Sequence, residues 1–567
     1  MANLLNPYAA PGEFAWKGQT HCHSSNSDNF KNQPPCEVVQ AYKNKGYDFI
    51  CLTDHSYGGL WPVPHLIGAN YPAPDPEIPG ILYIPSAEDG DQEPHHMLAL
   101  GLDFEAVCAY HDTIDAGRDR NKNGIDDINN LSGAHIQQRI DYLALIQKAL
   151  PVLAHPREGH NRRGGYAFEE IQLNQRYIGL EFFSGGSWCL DWWQRTLRSG
   201  LYRKVWGFSG DDCHIALPSN TATFNRGWIV VNSDRDPQQA ISSEQKKELQ
   251  AHLLRQVKQG NFYSVVRSPE LTANIPGSGP LDLGPRLKIR SAAGPRRTFS
   301  DHFFLPHTLS AHTDPDSRLF FWGGRVGLEE ETRLLLGVEH VSEASFLVGA
   351  DVDYVFVQVE QQRADGETYW AFSQPVFHQK YFSIESFHRP GFYLHCPVDG
   401  RAGLLEVDFQ PRSLPGSDRR VQVDTLKYLE QYDYRRASFR LAPGGLVGED
   451  VSDGGVSFES VDRPGWYLTA FEGGLRLAQE GHPDDREFQR LATFILHPGL
   501  AQGGNPNDPT WVSCELLARP GEYLYERDYG LSVGGEDAEA GVSEFNARAT
   551  FHLAAPLCAG IAWDAYG

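Results

Sequence analysis

A multidomain fold, in which an α/β region is followed by a β-sandwich-like module and a β-trefoil, is predicted from three observations. The chain has 567 residues, whereas a single hydrophobic core stops growing at about 250 to 300 residues. Strand-like and helical stretches alternate over residues 14–268. After residue 381 a motif recurs three times, and internal repeats indicate one structural unit per copy.

The α/β prediction for residues 14–268 depends on five short apolar runs, which read DFICLTD, LYIPSAE, VLAHP, YIGLEFF and KVWGFSGDD. Polar or helical sequence follows each run, as expected of strands that alternate with helices. Polar residues also stand at the ends of these runs. Because parallel α/β folds place their chemistry at the carboxyl ends of strands, we expect a functional site there.

The remaining sequence is strand-rich and divides into two modules. Residues 269–378 lose helical periodicity, and runs such as RLLLGVEHV and YVFVQVEQQ predict a β-sandwich-like module. Residues 379–557 contain the repeat, which reads SIESFHRPGFYL, SFESVDRPGWYL and SCELLARPGEYL. Three all-β copies that close around a pseudo-threefold axis predict a β-trefoil.

Charge and composition narrow the function classes. The formal net charge is −23, which disfavours a generic electrostatic grip on nucleic acid or an anionic membrane. No run of about 20 apolar residues predicts a membrane span. The nine cysteines include no CxxC pair, so we expect reduced thiols. A cytoplasmic protein is expected by default because the sequence shows no signal peptide, or a secreted one if a leader was removed.

Histidines and carboxylates stand at the ends of successive strand-like runs. His21 and His23 are two residues apart, so on a strand both imidazoles face the same side and can reach one metal ion. Asp212 and His214 repeat this spacing. Taken singly, each such residue is more often a hydrogen-bonded surface or core group than a ligand. Taken together, they predict a metal site, with the further donors Asp28, His55, Glu88, His96 and His155.

These motifs resemble those of a known superfamily. WKGQTHCHSSNSD, GYDFICLTDHS, the isolated Glu88, HHMLALGL, VLAHP and SGDDCH resemble, in order, the motifs of the polymerase-and-histidinol-phosphatase (PHP) superfamily over residues 14–268. Within this superfamily, the overall sequence of residues 14–268 resembles that of the carbaryl-hydrolase-type metallohydrolases. The segment VDYVFVQVEQQRADGETYWAFSQPVF extends that likeness to residue 378.

The resemblance implies a distorted α/β barrel that holds two or three Zn, Mn or Fe ions and uses hydroxide as the nucleophile. The resemblance also implies that nine residues are metal ligands, namely His21, His23, Asp28, His55, Glu88, His96, His155, Asp212 and His214. The strand after His96 favours it over His95. Asp54 is expected to orient an imidazole, and Glu181 matches a pocket position without an assigned role.

Two loops carry weaker signals. Arg157 follows His155 in a loop that could clamp an anionic substrate, although a solvated basic turn explains it equally well. In DRNKNGIDD, the spacing of a calcium loop is matched by Asp119, Asn121, Asn123 and Asp127. Asn130 stands where an EF-hand has Glu, so a plain polar loop is the preferred interpretation of that segment.

The three repeats resemble the arabinose-binding module of arabinofuranosidase B over about residues 380–554. Its sugar-binding residues are poorly matched here, so the resemblance favours the fold more than arabinose binding. The leading hypothesis is a phosphoesterase that uses a metal-bound hydroxide on a small or carbohydrate-linked substrate, with a possible polysaccharide at the trefoil. The alternatives are a carboxyl-ester, carbamate or amide hydrolase, and a glycan-binding protein with a structural metal site.

Overall fold

The computed structural model describes 30 strands and five helices, with gaps between the described ranges. The described residues are 4–8, 12–25, 33–56, 77–89, 95–102, 136, 140, 143–144, 148–156, 166, 168, 171, 177–198, 205–216, 220, 222–237, 243–268, 284–293, 307–325, 331–349, 352–363, 366–378, 381–396, 402–406, 436–443, 446–447, 455–463, 465–479, 485–501, 510–527, 530–535 and 541–554.

The helices and strands of the first 378 residues run in the following order. The elements are β1 (Leu4–Leu5), β2 (Phe14–Gln19), α1 (Pro35–Asn44), β3 (Phe49–Leu52), β4 (His55–Ser56), β5 (Leu82–Asp89), β6 (Met97–Leu100), β7 (Leu150–Leu153), β8 (Gly179–Ser184), β9 (Ser187–Trp188), α2 (Leu190–Arg198), β10 (Trp206–Ser209), β11 (Gly227–Ser233), α3 (Ser243–Gln259), β12 (Phe262–Arg267), β13 (Lys288–Ala293), β14 (His307–Gly324), β15 (Arg333–Val348), β16 (Tyr354–Gln362), β17 (Thr368–Ser373) and β18 (Val376–His378).

The repeat region adds twelve strands and two short helices. The elements are β19 (Tyr381–Ser386), β20 (Phe392–His395), β21 (Gly403–Glu406), β22 (Phe439–Pro443), β23 (Gly455–Ser460), β24 (Trp466–Phe471), β25 (Gly474–Gln479), α4 (Arg486–Leu491), β26 (Phe494–Pro498), β27 (Trp511–Leu516), β28 (Tyr523–Arg527), β29 (Gly530–Gly534), α5 (Val542–Arg548) and β30 (Phe551–Ala554). None of the helices in the described ranges is long and apolar enough to span a membrane.

The fold class predicted from the sequence, a distorted α/β barrel of the PHP type followed by a β-sandwich-like module and a β-trefoil, is wrong. Among the described residues, 51% lie in strands and 16% in helices, and the strands form a closed barrel and a large mixed sheet. The physical reason lies in how neighbouring strands pair. β5, β6 and β7 are antiparallel neighbours, and antiparallel strands need no helical crossover between them.

Parallel pairing brings several strand ends to one edge of the large sheet. β2 pairs with β3, β3 with β5, and β8 with β10, all in parallel. An isolated parallel bridge joins Cys22, just after β2, to Cys213, just after β10. Since the carboxyl ends of parallel strands meet at the same edge, the residues that follow β2 and β10 lie side by side.

The strands at this edge are buried on both faces. All four residues of β3 are buried. Phe49 and Cys51 join one apolar cluster, and Ile50 and Leu52 join another on the opposite face. Side chains alternate between the faces of a strand, so a continuous apolar run is what a strand covered on both sides requires.

The same sheet continues beyond residue 268. β12 pairs with β17, which pairs with β16, and β16 pairs with β14. All of these pairings are antiparallel, and β14 also pairs with β15 along most of its length. The segment predicted as a β-sandwich-like module therefore shares one sheet with the segment that carries the histidines.

The repeat region is a second, 12-stranded sheet. β19, β22, β23, β26, β27 and β30 pair in a closed ring. The Arg-Pro-Gly turns leave this ring at Gly391, Gly465 and Gly521, with φ values of 86°, 82° and 86°. Glycine adopts this left-handed conformation without a Cβ penalty, which explains why each repeat keeps it.

Candidate metal centre

His21 and His23 lie just beyond the end of β2, and both are fully buried. The Cys22–Cys213 bridge holds the segment between them against the residues after β10. As a result the two imidazoles converge, and their Nε2 atoms are 3.3 Å apart. Cys22 turns away, with its thiol toward the carbonyl of Cys51 at 3.5 Å, and burial raises its pKa well above the usual value.

Glu88, in the buried β5 strand, is the hub of the cluster. Its Oε1 lies 2.9 Å from His96 Nδ1 and 3.0 Å from His155 Nε2. Oε2 is 3.4 Å from His21 Nε2, 3.3 Å from His23 Nε2 and 3.2 Å from His55 Nδ1. Despite these three nitrogens, Oε2 accepts no hydrogen bond among the described residues. The five imidazoles therefore surround the carboxylate without all being aligned to it.

Asp212 is the second shared carboxylate. Its Oδ1 lies 3.4 Å from His21 Nε2, 3.2 Å from His23 Nε2 and 3.5 Å from His214 Nε2. The backbone of Asp212 is left-handed, with φ of 44°, and that of His155 has φ of 25°. Non-glycine residues in this region cost conformational energy and persist where the surroundings fix them.

Asp211 anchors the strained segment and was not identified from the sequence. Its carboxylate accepts hydrogen bonds from the backbone N–H groups of Asn225, Arg226 and Gly227, at 2.6 to 2.7 Å, and from the hydroxyl of Tyr42 at 2.8 Å. Burial raises the pKa of Asp211 to about 6. The doubled Asp in SGDDCH was the only available signal, since these partners lie 14 or more positions away or on α1.

Glu181, in β8, connects two of the histidines. His21 Nδ1 lies 3.1 and 3.0 Å from its two carboxylate oxygens, and the backbone N–H of His155 donates to Oε2 at 3.1 Å. A carboxylate on Nδ1 directs Nε2 of His21 toward the cluster. Gly210 leaves room for this contact, because a Cβ there would lie 2.5 Å from Glu181 Oε1.

Asp54 contacts the segment that directly follows His23. It is buried, and it accepts hydrogen bonds from the backbone N–H of Ser24 at 2.5 Å and from its hydroxyl at 2.6 Å. These contacts fix the chain directly after His23. Orientation of an imidazole by Asp54 stays a prediction.

The donor atoms fit divalent transition-metal ions. Four triads have their ligand atoms within 4.8 Å of one another: His23, His55 and His214; His21, Glu88 and His155; His21, His23 and Asp212; and His55, Glu88 and His96. In a tetrahedral site with metal–nitrogen distances of about 2.1 Å, neighbouring donor atoms are about 3.4 Å apart. The separations of 3.2 to 3.4 Å around Glu88 Oε2 match that spacing. Imidazole and carboxylate donors are the ligands that Zn, Mn and Fe accept.

The charges of the cluster are strongly coupled. Burial raises the pKa of Glu88, but the surrounding imidazoles outweigh it and hold the value well below the usual range. Burial lowers the pKa of His155, but its contact with Glu88 outweighs that effect and raises it to about 9. For His23 burial prevails, and its pKa falls to about 3. The buried carboxylates and the imidazoles therefore shift one another's pKa values within the cluster.

The predicted residues fall into two groups. Eight of the nine proposed ligands converge in the structure, and His96 faces Glu88 whereas His95 packs on Tyr166 at 4.9 Å between ring centroids. The others lie outside the described residues, namely the ninth ligand Asp28, Arg157, and the calcium-loop residues Asp119, Asn121, Asn123 and Asp127.

Comparison with known proteins gives one match by sequence family. Residues 408–507 match the model of the alpha-L-arabinofuranosidase B (ABFB) domain, which confirms the predicted resemblance for that part of the chain. Among curated proteins, no sequence matches this chain. The family match does not extend to residues 14–268, where the resemblance to the PHP superfamily stays a prediction.

Several solved structures share low similarity. One is a variant of a GH54 α-L-arabinofuranosidase soaked with 4-nitrophenyl α-L-arabinofuranoside (TM-score 0.23, 12% identity, 44% of this chain and 73% of that chain). Another is an arabinofuranosidase complexed with arabinofuranosyl-α-1,2-xylobiose (TM-score 0.24, 11% identity, 45% of this chain and 76% of that chain). A third is an endo-β-galactosidase from Clostridium perfringens (TM-score 0.20, 8% identity, 52% of this chain and 86% of that chain). Such low TM-scores establish no shared fold, so the family-model match is the finding that indicates a carbohydrate-active or carbohydrate-binding protein.

Proposed function

We propose that the chain is a metal-dependent hydrolase whose centre holds two or three Zn, Mn or Fe ions and whose substrate carries a carbohydrate. The observation that carries this proposal is the environment of Glu88 Oε2. Three imidazole nitrogens approach this buried oxygen to within 3.4 Å, and none donates a hydrogen bond to it. Burying a carboxylate oxygen without hydrogen bonds costs free energy. Ligand atoms that converge in this way are, by contrast, what bound cations require.

The four carboxylates of the site have different proposed roles, which follow from their contacts. Glu88 and Asp212 each contact three or more imidazoles, so these two carboxylates would hold the ions together with the histidines. Glu181 fixes His21 through Nδ1, and Asp211 holds the backbone that presents Asp212. When bound, clustered dications lower the pKa of water toward neutrality and stabilise the negative charge that develops on an attacked oxygen.

A phosphoester linked to a sugar is the bond to test first. The motif order that resembles the PHP superfamily supports phosphoester hydrolysis, and the match to the arabinofuranosidase B domain supports a carbohydrate. Two alternatives compete with this assignment. A carboxyl-ester, carbamate or amide hydrolase is favoured by the likeness to carbaryl-type enzymes, and a glycan-binding protein with a structural metal site is favoured by the repeat region.

The test compares purified wild type with a His21→Ala, Asp212→Ala double variant. Both are loaded with Zn, Mn or Fe and assayed against phosphomonoesters, phosphodiesters and aryl esters. The proposal expects phosphoester turnover that the double variant loses, while circular dichroism shows that it remains folded. Aryl-ester turnover alone selects the second hypothesis. Metal binding without turnover of any substrate selects the third.

A further inference from the structure

Two exposed apolar side chains belong to segments that also carry residues of the cluster. Among the described residues up to 268, Trp188 and Ile215 are the only large hydrophobic side chains that are exposed, at 38% and 45%. Ile215 directly follows the proposed ligand His214. Trp188 belongs to the hairpin of β8 and β9, in which β8 carries Glu181. A single exposed apolar residue is common on a protein surface, so the case for Trp188 depends on the groups around it.

The hairpin turn ties Trp188 to the cluster. The turn consists of Gly185 and Gly186, with φ values of 55° and 85°. A Cβ at Gly185 would lie 3.5 Å from Asp212 Oδ2, so the turn lies against this carboxylate. Trp188 follows two residues after the turn, a distance of about 7 Å along an extended strand. The backbone of Trp188 is therefore within the span of one or two sugar rings of a turn that contacts the cluster.

Neighbouring aromatic rings fix the position of the Trp188 indole. Its ring centroid is 5.7 Å from that of Trp370, at an interplanar angle of 89°, and 5.2 Å from that of Phe183, at 69°. Phe372 is 6.0 Å away, also edge-on. Edge-to-face contacts of this kind are favourable and directional, so a ligand that stacks on the indole does not have to order it first.

Polar groups continue the surface next to the indoles. Trp370 Nε1 donates to Glu360 Oε2 at 3.3 Å, and Arg318 Nη1 donates to Glu360 Oε1 at 3.0 Å. The side chains of Arg318 and Glu360 are 47% and 27% exposed. They offer donors and acceptors beside an aromatic plane, which is the combination that hydroxyl-rich, otherwise apolar rings require.

We propose that Trp188 and Trp370 form a glycan subsite at the rim of the metal centre, where Trp188 stacks on the C–H face of a neutral sugar ring of the substrate. This inference rests on the proposed function, because it assigns the sugar-linked part of the substrate to a place next to the cluster. It also separates substrate recognition from the arabinofuranosidase-B-like module, which lies elsewhere in the chain.

The test measures binding of arabinohexaose and xylohexaose to the full chain by calorimetry. The variants are Trp188→Ala, Trp188→Phe and the control Leu347→Ala, whose side chain is the most exposed large hydrophobic of the described residues at 60%. We expect Trp188→Ala to weaken binding of at least one oligosaccharide about tenfold, and Trp188→Phe to restore it to within about threefold. Leu347→Ala leaves binding unchanged.

Three outcomes overturn the subsite. In the first, Trp188→Ala binds both oligosaccharides as the wild type does. In the second, neither oligosaccharide binds the wild type. In the third, the variant changes only KM for 4-nitrophenyl phosphate, which assigns the indole to an aryl group. Metal content is measured on each sample, so that a failed subsite with an intact centre is distinguished from a centre that binds no metal.

Discussion

Glu88 and Glu515 are both paired with histidine, but the two carboxylates differ in how the surrounding nitrogen atoms are aligned to their oxygens. Glu515, in the third repeat, accepts the backbone N–H of Gly521 at 2.6 Å through Oε1 and meets His497 Nε2 at 2.6 Å through Oε2. Each oxygen of this carboxylate has one short, aligned partner. Glu88 Oε2 instead has three imidazole nitrogens at 3.2 to 3.4 Å and accepts no hydrogen bond from any residue that the structure describes.

The same pattern as that of Glu515 recurs in the other two repeats. Glu385 accepts the N–H of Gly391 at 2.9 Å and contacts His552 at 3.2 Å. Glu459 accepts the N–H of Gly465 at 2.8 Å, and Arg440 donates to it at 2.9 Å. These carboxylates clamp the Arg-Pro-Gly turns onto the ring of strands. The proposed distinction between metal ligands and clamps therefore depends on hydrogen-bond alignment and not on the number of His–Glu pairs.

The largest expected effect is that of Asp212→Asn. The amide keeps the size of the side chain but removes the negative charge that contacts three imidazoles. Turnover of the substrate found in the assays should fall by more than about 100-fold, because even groups that only orient ligands cost 10- to 100-fold. The control is Glu459→Gln in the repeat region, which should keep wild-type kcat. Equal losses in the two variants would contradict a special role for the cluster.

Glu181→Gln should have the next largest effect. The amide cannot hold the Nδ1–H of His21 as a carboxylate does, so metal affinity should fall about 10- to 100-fold. Competition with a chromophoric chelator measures it. The d–d absorption of the cobalt-substituted protein should shift in the variant, a signature that a purely structural contact does not change. An unaltered spectrum with unaltered affinity would remove Glu181 from the site.

The strand ends, and with them most of the candidate site, could be predicted from local sequence. Spacings such as His-x-His after β2 and Asp-x-His after β10 are visible in the chain, and the structure places these residues together. Their role as metal ligands stays a prediction. The fold class could not be predicted, because the antiparallel pairing of β5, β6 and β7 and the continuation of the sheet through β12 and β17 are long-range choices.

One supporting residue escaped prediction for a physical reason, and the role of another could not be assigned from the sequence. Asp211 acts on backbone N–H groups, which any sequence provides, so no side-chain pattern marks its partners. Glu181 was noticed only through the resemblance, since its partner His21 is 160 positions away. Gly210 carried no signal at all, although its missing side chain is what lets this pair meet.

Gly210→Ala tests that packing directly. The new methyl would lie 2.5 Å from Glu181 Oε1 and 2.8 Å from His21 Cβ, so one of them must move. Overpacking of this kind costs about 1–3 kcal/mol of unfolding free energy, and metal affinity should fall with it. Gly534→Ala is the matched control, because its Cβ would approach only Tyr525, at 3.3 Å. Chemical denaturation of both variants gives the comparison, and similar small losses in both would reject the packing argument.

Glu515→Ala should destabilise the repeat region by about 1 kcal/mol, the usual net contribution of a hydrogen bond, while metal content stays at the wild-type value. Tryptophan fluorescence during urea unfolding follows the change, with Trp511 nearby in β27. Loss of metal in this variant would contradict the division into centre and clamps.

The smallest expected effect is the pH dependence of the first clamp. Burial raises the pKa of Glu385, but the contact with His552 outweighs it and holds the value below its usual range. Because the folded-state pKa is depressed, the contribution to stability is present above the unfolded value of about 4.3 and is lost as pH falls through the folded value. Urea midpoints between about pH 3 and 6 should therefore decline less steeply in Glu385→Gln than in wild type. Identical slopes would exclude the clamp as a source of acid sensitivity.

Elemental analysis of wild type, Glu88→Gln and Glu515→Gln, after metal loading and desalting, tests the metal centre without reference to any substrate. These two substitutions make the same chemical change in a converging and in an aligned carboxylate. Wild type and Glu515→Gln should each retain about two to three transition-metal ions per chain, and Glu88→Gln should retain less than about one. Wild-type metal content in Glu88→Gln, or no bound metal in wild type under any loading condition, would contradict the assignment of a metal centre.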